Sequence, residues 1–161
     1  MESDKKHLMT DTEKWMVEAL KQAELAGSRD EVPVGAVIVH EGKMIAANGN
    51  RTRELSDPTA HAEILVIREA CKLLNAQRIL ECELYVTLEP CAMCAAAIAF
   101  ARLKTLVFAA EDPKGGGVLH GGRFFEQPTC HHKQIDIISG SMAAESAALL
   151  KGFFRDRRER D

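Results

Sequence analysis

Two short segments of the chain carry side chains that bind a soft divalent metal. One begins at His61, and the other contains Cys91 and Cys94, three residues apart. Zn²⁺ prefers imidazole and thiolate ligands in a tetrahedral arrangement. Two cysteines at this spacing share a face where a helix begins, and the helix dipole there favours thiolates. Because three protein ligands leave a fourth position open for water, the pattern predicts a catalytic zinc site.

Glu63 lies two residues after His61 and is not needed as a ligand. Two thiolates neutralise most of the charge of the metal, so a water molecule bound there is less acidic than at an all-histidine site. A carboxylate beside the metal can accept the proton of that water. We therefore expect Glu63 to be the general base, and hence the catalytic residue.

Other cysteines and histidines allow a different interpretation of the metal. A purely structural zinc would need a fourth ligand, and Cys130 and His131 are the candidates, but Glu63 would then have no role. A separate metal site at 130–132 is disfavoured, because neighbours in an extended segment point to opposite sides. The simplest alternative is a buried histidine with packed thiols, and the joint occurrence of all the motif residues argues against it.

Patterns of apolar residues predict the elements that position these groups. We expect strands at 34–39, 44–47, 84–88, 105–110 and 134–138, and helices at about 11–27, 60–75 and 90–101 with a last helix after a Ser141 cap. Strands alternating with helices predict a three-layer α/β/α domain. A turn at 41–43 makes the first two strands a hairpin, so the five-stranded sheet is mixed. Both metal-binding segments open helices at one edge of that sheet.

A long glycine-rich segment at 111–133 has no predicted element of its own. Loops of this length are usually functional or mobile. Its glycines at 115–117 and 121–122 match neither a phosphate-binding loop nor a dinucleotide fingerprint, so we expect a flexible loop.

Composition limits the class of protein. A chain of 161 residues, 46% of them hydrophobic, predicts a single folded domain over 1–161. The net charge of −3 excludes a generally basic surface but leaves room for a local patch. Without an apolar run of about 20 residues or an export signal, we expect a cytoplasmic protein with no membrane segment. Its five cysteines favour free thiols, with Cys71 on an apolar helix face and Cys82 in a loop.

Several further segments carry a family pattern. They are EVPVGAV at 31–37, GNR at 49–51, DPTAHAE at 57–63, YVTLEPC at 85–91 and FFR at 153–155. With the metal motif, they closely resemble the bacterial tRNA-specific adenosine deaminase branch of the cytidine-deaminase-like zinc deaminases. The resemblance covers most of the chain.

This resemblance implies a cytidine-deaminase-like fold and hydrolysis of adenosine to inosine at the wobble position of a tRNA anticodon. It also implies one Zn²⁺ per chain, a homodimer, and contact with an unpaired nucleotide of the anticodon loop. For the substrate pocket it implies Asn50, Pro33 and Val34, and we add Asp112 from the segment that follows the fourth strand.

One departure from the branch leaves the substrate open. Where the branch has an asparagine near the substrate, this chain has His131, which we expect to face the pocket. The alternative function is a deaminase of free bases or nucleosides, cytosine or guanine, with the same zinc centre. A non-enzymatic alternative is a zinc-stabilised RNA-binding module.

The tail holds four arginines, at 155, 157, 158 and 160, which suit either a solvated helix end or contact with an RNA backbone.

Overall fold

The computed structural model describes residues 9–160 and contains a five-stranded sheet in the order β2-β1-β3-β4-β5. The strands are β1 (Gly35–His40), β2 (Lys43–Gly49), β3 (Cys82–Leu88), β4 (Thr105–Ala110) and β5 (Asp136–Ser139). Strand β1 is antiparallel to β2 and β3, whereas β3, β4 and β5 are parallel. The predicted mixed sheet is confirmed. The expectations for residues 1–8 and 161, including the absence of an export signal at the start of the chain, lie outside the described residues.

Helices cover both faces of this sheet. They are α1 (Asp11–Ser28), α2 (Ala62–Leu74), α3 (Ala92–Ala101) and α4 (Ala143–Arg160). Successive side chains of a strand point to opposite faces. In β1, Ile38 accordingly packs in the core cluster that includes α2 and α3, whereas Val37 packs with α1. The α/β/α sandwich is confirmed.

Two local predictions were wrong. Cys82 is not in a loop but is the first residue of β3, fully buried in the core. Ser141 does not cap α4: its buried Oγ has no hydrogen-bond partner among the described residues, and the helix begins at Ala143 after Met142 has turned the backbone to a φ of 58°. This left-handed turn, which follows Gly140, separates the serine from the first helical N–H groups. Within residues 9–160, no helix combines the length and hydropathy that a bilayer span requires.

Candidate active site

Two helix N-termini bring the predicted metal ligands together. His61 is the N-cap residue of α2, and Cys91 is the N-cap residue of α3, with Cys94 in the first turn. Strand β3 ends at Leu88, so the chain passes directly from the sheet into the cysteine segment. These helix starts meet at the end of β3, which is the sheet edge expected from the sequence.

The distances between the donor atoms suit a tetrahedral zinc ion. His61 Nδ1 is 3.7 Å from Cys91 Sγ and 3.5 Å from Cys94 Sγ. Ordinary Zn–N and Zn–S bonds at the tetrahedral angle place nitrogen about 3.6 Å from sulfur. In the described part of the chain, the donor atoms of these three residues form a group that could hold a metal ion, and that group includes neither Cys130 nor His131. The geometry therefore favours an open three-ligand site over a closed structural one.

Of the two thiols in this group, Cys91 is the one poised for metal binding, whereas its hydrogen bond with Cys94 and burial raise the pKa of Cys94. Hydrogen bonds from Cys94 and His61 lower the pKa of Cys91 to about 4, against the opposing effect of burial. Zinc binds the thiolate form, so a cysteine that is ionised at neutral pH needs no proton removed when the metal binds. The hydrogen bond to Cys91 also raises the pKa of His61 in the metal-free protein.

Glu63 lies beside the metal group in the first turn of α2, and its side chain is only 4% exposed. Burial raises its pKa, while the charge of His61 and a hydrogen bond with Cys94 oppose that shift. A carboxyl group whose pKa moves towards neutrality both accepts and returns protons readily. The structure places Glu63 where its predicted role as a proton carrier requires it.

A cavity of about 300 Å³ opens onto this group. Its lining residues come from both loops and helix starts: Val32, Val34, Asn50, Thr52, His61, Glu63, Leu88, Glu89, Cys91, Asp112 and Gly115. Valine and leucine side chains form apolar walls, and the polar atoms converge near the metal ligands. This combination is typical of a pocket for one small, flat, polar molecule.

Asn50 lines the cavity and also holds the start of α2, where the predicted metal ligand His61 lies. Its side-chain oxygen accepts a hydrogen bond from the backbone N–H of Ala62 at 2.8 Å, at the start of α2. Because the oxygen is occupied there, the NH₂ group of Asn50 remains as the donor for a bound molecule. The predicted contact of Asn50 with the substrate is therefore compatible with the geometry. Asn50 also has a structural role, because it holds the start of α2.

The structure does not bring two of the predicted substrate residues to the cavity. Pro33 is buried but does not line it, whereas Val32 and Val34 do, because side chains alternate along an extended segment. His131 is exposed, and the next residue, His132, donates a hydrogen bond to the carbonyl of Leu103 at 2.6 Å. Leu103 precedes β4 and the cavity lies beyond the end of the parallel strand β3, so His131 is at the opposite end of the sheet. Asp112, by contrast, lines the cavity as expected.

Comparison with known proteins agrees with this geometry. Residues 10–158 match the family model of the MafB19-like deaminases. The tRNA-specific adenosine deaminase of Agrobacterium fabrum is 57% identical over 150 residues, which cover 93% of this chain and 98% of that protein. The protein of the same name from Rickettsia bellii is 49% identical over 146 residues, which cover 89% of this chain and 100% of that protein.

A solved structure shows the same fold. It comes from biochemical and structural studies of A-to-I editing by tRNA:A34 deaminases at the wobble position of transfer RNA. It is 59% identical, with a TM-score of 0.83, and the match covers 85% of this chain and 99% of that chain. This chain belongs to the MafB19-like deaminase family. The cytidine-deaminase-like fold and the resemblance to the tRNA-specific adenosine deaminases are thereby confirmed.

Sequence reasoning missed one buried carboxylate in the wall of this cavity. Glu89, two residues before the ligand Cys91, is a buried carboxylate in the cavity wall. Burial raises its pKa, but hydrogen bonds from His120 and from the N–H groups of Asp112, Val118 and Leu119 outweigh that effect, so its pKa is lowered. The glycine-rich loop, expected to be flexible, is tied to this carboxylate. The run of glycines was the available signal, because it allows backbone N–H groups to approach an anion closely.

Proposed function

We propose that this deaminase, as a single domain over residues 1–161 with one Zn²⁺ per chain, converts adenosine to inosine at the wobble position of a tRNA anticodon. The observation that carries the proposal is the buried Glu63 carboxylate beside the His61, Cys91 and Cys94 group, at a cavity with apolar walls. The tRNA-specific relatives support the choice of substrate. A tRNA substrate also supports a cytoplasmic location.

The residues of the site divide the work of the reaction. A zinc ion held by the three ligands would supply a Lewis acid that activates water for attack on the amino-bearing carbon of the base. Glu63 accepts a proton of that water, delivers it to a ring nitrogen, and then assists the departure of the amino group as ammonia. Asn50 donates a hydrogen bond from its NH₂ group to the nucleoside, and Val32, Val34 and Leu88 exclude bulk water.

The size of the cavity favours an unpaired nucleotide. At about 300 Å³ it is at the small end of ligand pockets, which span roughly 300–1,000 Å³. An RNA duplex cannot enter such a space, so the target base must leave its stack and be inserted alone. A nucleotide of the anticodon loop meets that condition.

A group of arginines near the cavity provides a surface for the RNA backbone. Arg53, Arg157 and Arg160 approach the carboxylate of Asp30 at 3.2, 3.5 and 3.7 Å. Asp30 is two residues before Val32, and Arg53 follows Thr52, so both segments continue into the cavity wall. One carboxylate cannot neutralise three guanidinium groups, and the excess positive charge suits phosphate. We call Arg53, Arg157 and Arg160 the arginine cluster.

The first experiment separates the proposed substrate from the alternative. The zinc-loaded protein is incubated with an anticodon stem-loop carrying the wobble adenosine, and separately with adenosine, cytosine and guanine, and mass spectrometry follows the gain of about 1 Da that deamination causes. We expect conversion of the stem-loop, and no conversion by the Glu63→Gln variant. Turnover of a free base without turnover of the stem-loop would transfer the assignment to the free-base deaminases. Zinc-dependent ammonia release on either substrate would contradict the RNA-binding module.

The second experiment tests the arginine cluster with a matched pair of double variants from the same helix. Arg157→Gln with Arg160→Gln removes two members of the cluster, whereas Arg155→Gln with Arg158→Gln removes the same charge from other positions of α4. We expect the first variant to weaken stem-loop binding and flatten its salt dependence, since fewer counterions are released. Equal effects of the two variants would show that only net charge matters.

We also propose that the deaminase is a homodimer, as the family resemblance implies. Phe100 on α3 is 74% exposed and borders an open hollow, with Ile64 and Ile67 of α2 in its wall. A second copy of this apolar face would cover it. Light scattering should give a dimer for the native chain and for Leu25→Glu on the exposed side of α1, and a monomer for Phe100→Glu. A dimeric Phe100→Glu variant would place the interface elsewhere.

A further inference from the structure

Glu89 is a buried carboxylate that the proposed reaction does not use. The residue is 2% exposed, and it lies between the end of β3 and the segment that begins with Pro90 and Cys91. It lines the same cavity as Glu63. A second buried carboxylate beside the reaction centre could serve as a second acid–base group. The contacts of Glu89 argue against that role.

All of the hydrogen-bonding capacity of Glu89 is directed at the loop that follows β4. Oε1 accepts hydrogen bonds from the N–H of Asp112 at 3.1 Å and from His120 Nδ1 at 2.7 Å. Oε2 accepts from three consecutive backbone N–H groups, those of Val118, Leu119 and His120, at 3.1–3.2 Å. With five donors on two oxygens, no lone pair remains for a substrate or a water molecule. Glu89 therefore acts by holding the loop.

The glycines of the loop make this close approach possible. A Cβ atom at Gly116 would collide with the Oε2 atom of Glu89, and one at Gly117 would lie 2.7 Å from the backbone nitrogen of Ala92, at the start of α3. The loop backbone thus rests on both the carboxylate and the helix that carries Cys94. Two loop residues, Asp112 and Gly115, are in turn part of the cavity wall.

We propose that Glu89 is a positioning residue that fastens segment 112–120 as one wall of the substrate cavity, and that the imidazole of His120 completes this fastening. Three successive N–H groups around an anion form a nest, a geometry that usually binds an external phosphate or carboxylate. Here the anion is internal to the chain. The carboxylate orders a segment that has few apolar side chains of its own, so the shape of the cavity depends on one side chain outside the reaction.

The direct test is amide hydrogen exchange on the zinc-loaded protein, which needs no assumption about the reaction. In Glu89→Gln we expect the amides of 118–120 to exchange about ten- to a hundredfold faster, the factor that corresponds to hydrogen bonds to a charged group. Glu126→Gln is the matched control, because Glu126 is an exposed glutamate of the same loop. Unchanged exchange at 118–120 in folded Glu89→Gln would overturn the proposal.

The kinetic test rests on the proposed function and separates positioning from general stability. We expect Glu89→Gln to raise KM for the stem-loop about tenfold with a smaller fall in kcat, and to retain its zinc, because the wall is loosened while Glu63 stays in place. His120→Ala keeps every backbone hydrogen bond and should give a smaller increase in KM. His120→Asn should reverse it, since the asparagine NH₂ group can replace Nδ1–H.

The two tests fail in distinguishable ways. Loss of kcat with unchanged KM in Glu89→Gln would make Glu89 part of the reaction and overturn the positioning role. If Glu89→Gln does not fold, the comparison of His120→Ala with His120→Asn decides, and equal KM values for these two variants would contradict the proposal. A native protein that deaminates no stem-loop would refute the proposed substrate but leave the exchange result valid.

Discussion

Replacement of Glu63 by glutamine is the sharpest perturbation of the proposed reaction. The variant keeps the shape of a side chain that is 4% exposed and removes only its ability to accept and return protons. One positioned acid–base group contributes about 10²–10⁴ in rate. Because burial keeps bulk water from replacing the carboxylate, and because the same group serves several proton transfers, we expect kcat to fall by about 10⁴. This corresponds to about 5 kcal/mol of transition-state free energy.

The measurement is single-turnover conversion of the anticodon stem-loop, with zinc content determined on the same preparation. Zinc should remain at about one ion per chain, since Glu63 is not a ligand. The melting temperature should be unchanged or higher, because burial already penalises the charged form of Glu63. Glu69→Gln is the control on the same helix: Glu69 is exposed and accepts a hydrogen bond from Asn48 that a glutamine oxygen can also accept. Near-normal turnover by zinc-loaded Glu63→Gln would refute the assigned role.

Three further predictions follow from the ligand geometry and the local charges. Cys91→Ser and Cys94→Ser should lose zinc by elemental analysis, whereas Cys130→Ser should retain it; zinc loss in Cys130→Ser would restore the closed structural site. In the zinc-stripped protein, iodoacetamide should label Cys91 at a rate that is nearly constant from pH 6 to 8, because a pKa of about 4 leaves this thiol ionised throughout. Cys82, with a pKa of about 11, should stay unlabelled. A tenfold rise in the labelling rate of Cys91 per pH unit would contradict this prediction. Asp30→Asn should tighten stem-loop binding at low salt and steepen its salt dependence, because it frees the arginine cluster of its counter-charge; weaker binding would show that Asp30 is needed to hold the arginines in place.

The helices and strands were predictable where local pattern and burial agree. The strand at 105–110 was predicted with its observed bounds because every residue in it is buried and apolar or small. Helix α2 was predicted, with Ala70 correctly on its inward face, but Ile64, also expected to face inward, lies in the wall of the open hollow near Phe100. A helix with apolar residues on two sides does not reveal from its own sequence which side meets the sheet.

The pocket was less predictable than the metal site. Val34 and Asp112 line the cavity, but Pro33 does not, and His131 is at the other end of the sheet. Both errors arose because the position of a residue along the chain was taken to fix its position in space. The direction of a side chain in an irregular segment depends on dihedral angles that neighbouring residue types leave open.

The sequence by itself determined the layered fold and predicted the metal ligands and the proton carrier, because each depends on residue types in a recognisable pattern. Imidazole and thiolate ligands are recognisable by residue type, and the two cysteines, three residues apart, share a face at the start of one helix. Only the tertiary structure decided which groups surround them. The clearest case is Glu89, whose partners are mainly backbone N–H groups some thirty residues further along the chain. Every residue except proline carries that donor, so the run of glycines could mark the segment but not name its partner, and the contact exists only once the loop has folded back onto the end of β3.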